Sequence, residues 1–151
     1  MSMQMEWKSF AAMAPAVNTA LLAMGKAIDE SGLEKSLTEL MKLRASQING
    51  CAFCTQTHLN IARKIGLPES QLGLVAVWRE AGVFSPREQA ALAYTEALTL
   101  DPTHGVSERM REELASHFND QECVFLTVAI ANINAWNRIA GALRFSPPLQ
   151  G

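Results

Sequence analysis

Two cysteines three residues apart, with a histidine four residues beyond the second, form the most reactive grouping on the chain. They lie in Asn49-Gly50-Cys51-Ala52-Phe53-Cys54-Thr55-Gln56-Thr57-His58. Residues three or four apart share a face of a helix, so Cys51, Cys54 and His58 fall along one stripe. The thiolate is the nucleophilic form of cysteine. A helix N-terminus or a nearby imidazolium lowers its pKa from ~8.5 toward ~3.5–7.5, and this segment supplies both. The two sulfurs are also close enough to pair once one has been oxidised and the local backbone adjusts. Spacing alone leaves two other readings open: an inert pair, and a zinc site completed by Cys123, His104 or His117. No second CxxC and no HxxxH completes a familiar zinc spacing. A thioredoxin-type CxxC needs a βαβ context, which the sequence lacks.

The elements that must position these residues are helical. Gly and Pro fall at punctuation points, and the segments between them carry helical rather than alternating periodicity. Pro15 opens a helix to about Glu30, with Gly32 behind it. A second covers roughly Glu34 to Ile48, with Leu37, Leu40, Met41 and Leu43 as its apolar stripe, and Asn49-Gly50 ends it. A third runs from about Cys51 to Ile65 and is stopped by Gly66. A short one follows from about Glu69 to Glu80. Ser85-Pro86-Arg87-Glu88 is a clear start, with a capping Ser, a Pro at the first helical position and a Glu three residues after the cap. That helix extends to about Leu100. Ser107 caps another to about Phe118, and Asn119 with Glu122 opens a long apolar helix to about Leu143. No alternating stretch bounded by hairpin turns indicates a sheet, and no repeat period is present. The expected architecture is one all-α domain over residues 1–151, a compact bundle of roughly six to eight helices.

Composition narrows the function classes. With 48% apolar and 19% charged residues and a net charge of −2, the chain is an ordinary globular protein without an electrostatic footprint for nucleic acid or an anionic membrane. The most apolar segment, Cys123 to Ala135, is shorter than a bilayer span and carries Thr127, Asn132 and Asn134. The N-terminus lacks the basic-then-apolar layout of a secretory signal. A cytoplasmic protein is expected, where thiols stay reduced and three cysteines point to catalysis or metal binding rather than a disulfide scaffold. No flavin, haem or nucleotide motif is present, so no bound cofactor is expected.

Glu39, separated from Cys51 by eleven intervening residues, completes a pattern. By itself it reads as the i, i+4 partner of Lys35 on a solvated helix face. Together, Glu39, Cys51-x-x-Cys54 and His58 resemble the AhpD-like alkylhydroperoxidases of the carboxymuconolactone decarboxylase superfamily. The likeness extends to Asn49-Gly50, Ala62-Arg63-Lys64-Ile65-Gly66, the Ser85-to-Ala97 helix and Ile133-Asn134-Ala135-Trp136-Asn137-Arg138, covering about residues 34–145. It implies a thiol-dependent peroxidase. Cys54 would attack a hydroperoxide and become a sulfenic acid, and Cys51 would resolve it to a disulfide. A dithiol of lipoyl or thioredoxin type would reduce that disulfide, and Glu39 and His58 would relay the proton. Well-studied members carry a His immediately before the second Cys. Here Phe53 occupies that position, which implies a shorter relay and weaker peroxidase activity. Members that decarboxylate generally lack the Cys pair.

The remaining residues have plainer readings. Cys123 reads as a buried small hydrophobe, His104 and His117 as surface residues, and Trp136 as core or interface. The Met residues read as core filler, with Met3 and Met5 either disordered or at a contact. The Asn119–Leu143 helix is more apolar than one buried face requires, which suggests a subunit interface. The resemblance implies a trimer or hexamer. Two other functions use the same residues: a non-catalytic thiol–disulfide switch, and a superfamily relative acting on a small lactone or carboxylate.

Overall fold

The computed structural model describes residues 4–150, and among them every regular element is helical. Helix α1 spans Trp7–Met13, α2 Pro15–Asp29, α3 Lys35–Ile48 and α4 Ala52–Lys64. After α5 (Glu69–Leu74) a 3-10 turn over Val75–Val77 leads into α6 (Trp78–Ala81), followed by α7 (Pro86–Leu100), α8 (Glu108–His117) and α9 (Asp120–Ala142). The expected all-α class is what the chain adopts, with two local differences. Helix α1 carries no capping side chain that would announce it. The expected helix over 69–80 is also broken: its middle tightens into a 3-10 turn over Val75–Val77 as Val75 and Trp78 pack into the core.

The start signals at α7 and α9 hold in detail. Ser85 and Glu88 form a reciprocal capping box with Pro86 at the first helical position, and Asn119 and Glu122 form a second. Ser107 caps α8 through the Met110 N–H at 3.2 Å.

Helix α3 is the axis of the bundle, packed by α4, α7 and α9. The expected stripe of Leu37, Leu40, Met41 and Leu43 is buried, but so are Thr38, Glu39, Lys42 and Ser46. Neighbours on several sides therefore cover a helix that is far from uniformly apolar. Leu37 and Met41 pack with Ala91, Leu126 and Ile130 toward α7 and α9. Leu40 and Leu43 pack with Ala62, Val75 and Trp78 toward α4 to α6. A third cluster joins Phe10, Ala45, Ile133, Ala140 and Phe145 to both Cys51 and Cys54. By length and composition α9 is apolar enough to cross a bilayer, but here it packs against α2, α3, α4 and α7. Its Asn132 and Asn137 are buried and hydrogen-bonded within the protein. Met5 packs on the third cluster and its N–H donates to the Leu143 carbonyl at 3.0 Å, whereas Met3 lies outside the described residues.

The α7–α8 loop folds back on itself so tightly that only glycine fits. The Gly105 N–H donates to the Asp101 carbonyl at 2.8 Å. A Cβ there would lie 2.6 Å from that same oxygen and closer still to the Ala97 carbonyl. Both obstacles are backbone, so neither can rotate away. Gly105→Ala is expected to destabilise the fold by about 1–3 kcal/mol, measured as a lower urea midpoint with an unchanged slope. An unchanged midpoint would contradict this packing.

Candidate active site

The turn between α3 and α4 sets the position of the cysteines. Gly50 adopts a left-handed φ of 65°, and the Cys51 N–H donates back to the Ser46 carbonyl at 3.0 Å. This is a glycine-terminated helix end that starts the next helix without a spacer. Cys51 is the N-cap of α4, with an extended backbone, and its Sγ accepts from the Cys54 N–H at 3.3 Å. Sequence spacing placed Cys51, Cys54 and His58 on one helical stripe. The structure separates them, because Cys51 precedes the helix. Cys54 and His58, one turn apart, line a cavity of about 650 Å³, and Cys51 is not among its lining residues.

That cavity has an apolar body and a polar end. Trp7, Leu21, Leu22, Phe53, Ile61 and Trp136 contribute to the body, and Glu39, Lys42, Cys54 and His58 to the polar end. Glu39 is not on a solvated face. It is 1% exposed, and its Oε2 lies 2.7 Å from His58 Nδ1. Lys35 is near, at 3.8 Å from Oε1, while Lys42, three residues after Glu39 and itself buried, is nearer at 3.3 Å. Burial pushes the Glu39 carboxyl upward, but the hydrogen bond and charge of His58 and then the charges of Lys42 and Lys35 hold it below its usual value. An ionised carboxylate can only accept, so His58 Nδ1 carries the hydrogen between them. Only when the ring is neutral is Nε2 then free to accept a proton.

The two sulfurs divide one proton unequally. A hydrogen bond from the Cys54 thiol is the largest influence on Cys51 and outweighs burial. The Cys54 N–H, the Asn137 side chain and the Phe53 N–H add to it, bringing Cys51 down to about 7. Cys54 is pushed the other way, first by holding that hydrogen bond and then by burial, with the negative charge of Cys51 adding to both. A helix N-terminus favours this outcome because its free N–H groups stabilise an anion.

Phe53 packs edge-on to Phe145 with ring centroids 5.2 Å apart, so an apolar wall stands where a relay histidine would. Cys123 is only half-buried, its Sγ 3.9 Å from the Phe118 carbonyl. Burial, then Asp120 and Glu122, raises its thiol, which disfavours the thiolate. His104 is exposed and His117 is half-buried beside Glu113, so neither reaches the cysteines. Among the described residues, no three His, Cys, Asp or Glu side chains converge as metal ligands. Two residues that spacing did not single out belong to the site: Lys42, and Asn137 of α9.

Comparison with known proteins shows the family and the fold. Residues 15–97 match the profile of the carboxymuconolactone decarboxylase family. Over 135 residues the chain is 36% identical to the uncharacterized protein YdfG of Bacillus subtilis, covering 89% of this chain and 92% of that one. The crystal structure of ATU0492 from Agrobacterium tumefaciens is that of a protein of unknown function named as a candidate antioxidant defence protein AhpD. It superimposes with a TM-score of 0.88 at 41% identity, covering 93% of this chain and 97% of that one. An uncharacterized peroxidase-related protein from Ralstonia eutropha JMP134, described as an alkylhydroperoxidase AhpD core, matches with a TM-score of 0.81 at 26% identity. That match covers 91% of this chain and 74% of that one.

The unequal pair predicts a two-step titration. In the reduced protein the first thiolate, followed by ultraviolet absorbance and by alkylation rate, should appear with rising pH around a midpoint of about 7. Cys51→Ser should move that step upward. A wild-type protein with no thiolate below the ordinary cysteine range would contradict the asymmetry.

Proposed function

The chain belongs to the carboxymuconolactone decarboxylase family as an AhpD-like member, and on that basis we propose that it is a thiol-dependent peroxidase that reduces organic hydroperoxides through Cys51 and Cys54. The observation that supports this most is the shared cavity. Cys54 and the Glu39-backed His58 face the same apolar space, which suits the body of an organic hydroperoxide.

In this reading the anion already on Cys51 holds the Cys54 proton in place, so Cys54 needs a base before it can attack. His58 Nε2 takes that proton, and Glu39 stabilises the imidazolium. The Cys54 thiolate attacks the outer oxygen of the hydroperoxide. The O–O bond breaks, and the alkoxide leaves with the proton from His58 as an alcohol. Cys54 is now a sulfenic acid, and the waiting Cys51 thiolate displaces hydroxide from it, which solvent protonates to water. The resulting Cys51–Cys54 disulfide takes two electrons and two protons from a dithiol of lipoyl or thioredoxin type. The low value at Cys51 also favours a reversed assignment, with Cys51 attacking and Cys54 resolving, but Cys54 lines the cavity and Cys51 does not.

Assembly is a second part of the proposal. Val17, Leu22 and Met24 of α2 and Val124 of α9 are exposed apolar residues, consistent with contact between copies of the chain as a trimer or hexamer. Light scattering at micromolar concentration should give a multiple of 16.5 kDa, and the monomeric mass would contradict it.

Kinetics with cumene hydroperoxide and dihydrolipoamide test the chemistry. Wild type should turn over repeatedly, and Cys54→Ser should abolish consumption. Cys51→Ser should oxidise once at Cys54 and then over-oxidise. Glu39→Gln should slow turnover by about 10²- to 10⁴-fold. A sulfenic acid on Cys51 in Cys54→Ser would reverse the roles. Disulfide formation without turnover would make the pair a redox switch, and consumption untouched by either cysteine substitution would end the peroxidase reading.

A further inference from the structure

Of the three lysines that line the cavity, Lys42 alone is buried: its side chain is 8% exposed, against 41% for Lys35 and 76% for Lys26. The other two are paired with carboxylates at the end of α2, Lys35 with Asp29 at 2.8 Å and Lys26 with Glu30 at 3.7 Å. Among the described residues the Lys42 ammonium has one hydrogen-bond partner, Glu39 Oε1 at 3.3 Å. An ammonium carries three donor hydrogens, so two are left for whatever fills the cavity. A buried cation with open donors is costly until an acceptor meets them.

The register of α3 against α4 places this cation level with Cys54. The two helices form a hairpin pinned at two points: the Ser46 carbonyl receives the Cys51 N–H at 3.0 Å, and Glu39 meets His58 at 2.7 Å. Lys42 lies three residues after Glu39 and four before Ser46, and Cys54 lies three after Cys51 and four before His58. Equal steps along both helices from both pins bring Lys42 and Cys54 to the same height. Helical side chains lean toward the N-terminus, so Lys42 leans back toward Glu39, as its hydrogen bond shows. Glu39 thus holds His58 on one oxygen and Lys42 on the other, and both of these line the cavity with Cys54.

We propose that Lys42 is a further catalytic residue: its ammonium, steadied by Glu39, donates to the oxygen that leaves when Cys54 breaks the peroxide bond and holds the negative charge developing there. This rests on the peroxidase reading. An organic hydroperoxide with its carbon skeleton in the apolar body brings its two oxygens to the polar end, among Cys54, His58 and Lys42. A bond forms between the Cys54 sulfur and the outer oxygen, the O–O bond breaks, and its electron pair stays on the inner oxygen. Lys42 hydrogen-bonds that oxygen and keeps its own protons. The proton that turns the alkoxide into an alcohol is the one His58 took from Cys54. A cation fixed in a cavity shielded from water is worth most where charge appears only in the transition state.

The test compares two leaving groups in a single turnover of the reduced protein, with the Cys51–Cys54 disulfide quantified after rapid acid quench. Cumene hydroperoxide expels a strongly basic alkoxide. Peroxybenzoic acid expels benzoate, whose charge is spread over two oxygens and needs little help. Lys42→Met keeps a long apolar stem and removes the cation. It should slow oxidation by cumene hydroperoxide about 10²- to 10³-fold and oxidation by peroxybenzoic acid less than about tenfold, with native helicity retained. A lysine that only steadied Glu39 would act through His58, which must deprotonate Cys54 whichever peroxide is used. Both rates would then fall together, and the pH profile with peroxybenzoic acid would move. Equal loss with the two peroxides, or no loss with either, overturns the proposal. If Lys42→Met does not fold, Lys42→Gln, which keeps a donor for Glu39 without the charge, is judged by the same ratio. Wild type inert to both peroxides ends the peroxidase reading and the role of Lys42 together. Reactive wild type with an equal loss in the variant ends the role of Lys42 alone.

Discussion

A carboxylate buried as completely as Glu39 is stable only if its charge is met on every side, because taking it out of water costs several kcal/mol. The demand reaches through much of the bundle. It requires His58 of α4 against one oxygen, and Lys42 and Lys35 of α3 against the other. It also makes α3 the axis, since only a helix covered by neighbours on several sides can bury Glu39 while burying Leu37, Leu40, Met41 and Leu43. A glutamate and a histidine held 2.7 Å apart in a cavity wall have fixed roles. The carboxylate accepts from Nδ1, so that nitrogen carries a hydrogen and the ring is held in one orientation.

The second organising feature is the abrupt start of α4. Gly50 lets α3 end and α4 begin with only three residues between them, so Cys51 becomes a cap and Cys54 a first-turn residue. Two chemically identical side chains thereby acquire different surroundings. One sulfur accepts from the Cys54 N–H at the start of the helix and does not line the cavity. The other faces the cavity and holds the proton. That difference comes from the turn and needs no further charged residue near Cys51.

Much of this was legible in the sequence, for local reasons. Ser85-Pro86 with Glu88 and Asn119 with Glu122 are self-contained caps, and Asn49-Gly50 is a helix stop whatever surrounds it. The reactive cluster was legible because its spacing is short and specific. What escaped depends on tertiary partners. Glu39 beside Lys35 has the local pattern of a solvated pair, and only its burial against His58 shows otherwise. Cys51 was placed on the helical stripe because periodicity cannot show that a residue is a cap rather than a first turn. Asn137 meets Ser46 across 91 positions of sequence, a distance at which no window or spacing rule operates. The 3-10 turn at Val75–Val77 is likewise imposed by packing Val75 and Trp78 into the core.

The central claim is that the buried pair at the start of α4 does two-electron chemistry on a peroxide, with Cys123 a bystander. Its most direct measurement adds one equivalent of cumene hydroperoxide to the fully reduced protein, then maps the cysteine peptides by mass and quantifies the alcohol released. The account predicts one Cys51–Cys54 disulfide for each molecule of alcohol, with Cys123 still a free thiol. Peroxide left unconsumed, or consumed while Cys51 and Cys54 remain reduced, would contradict it.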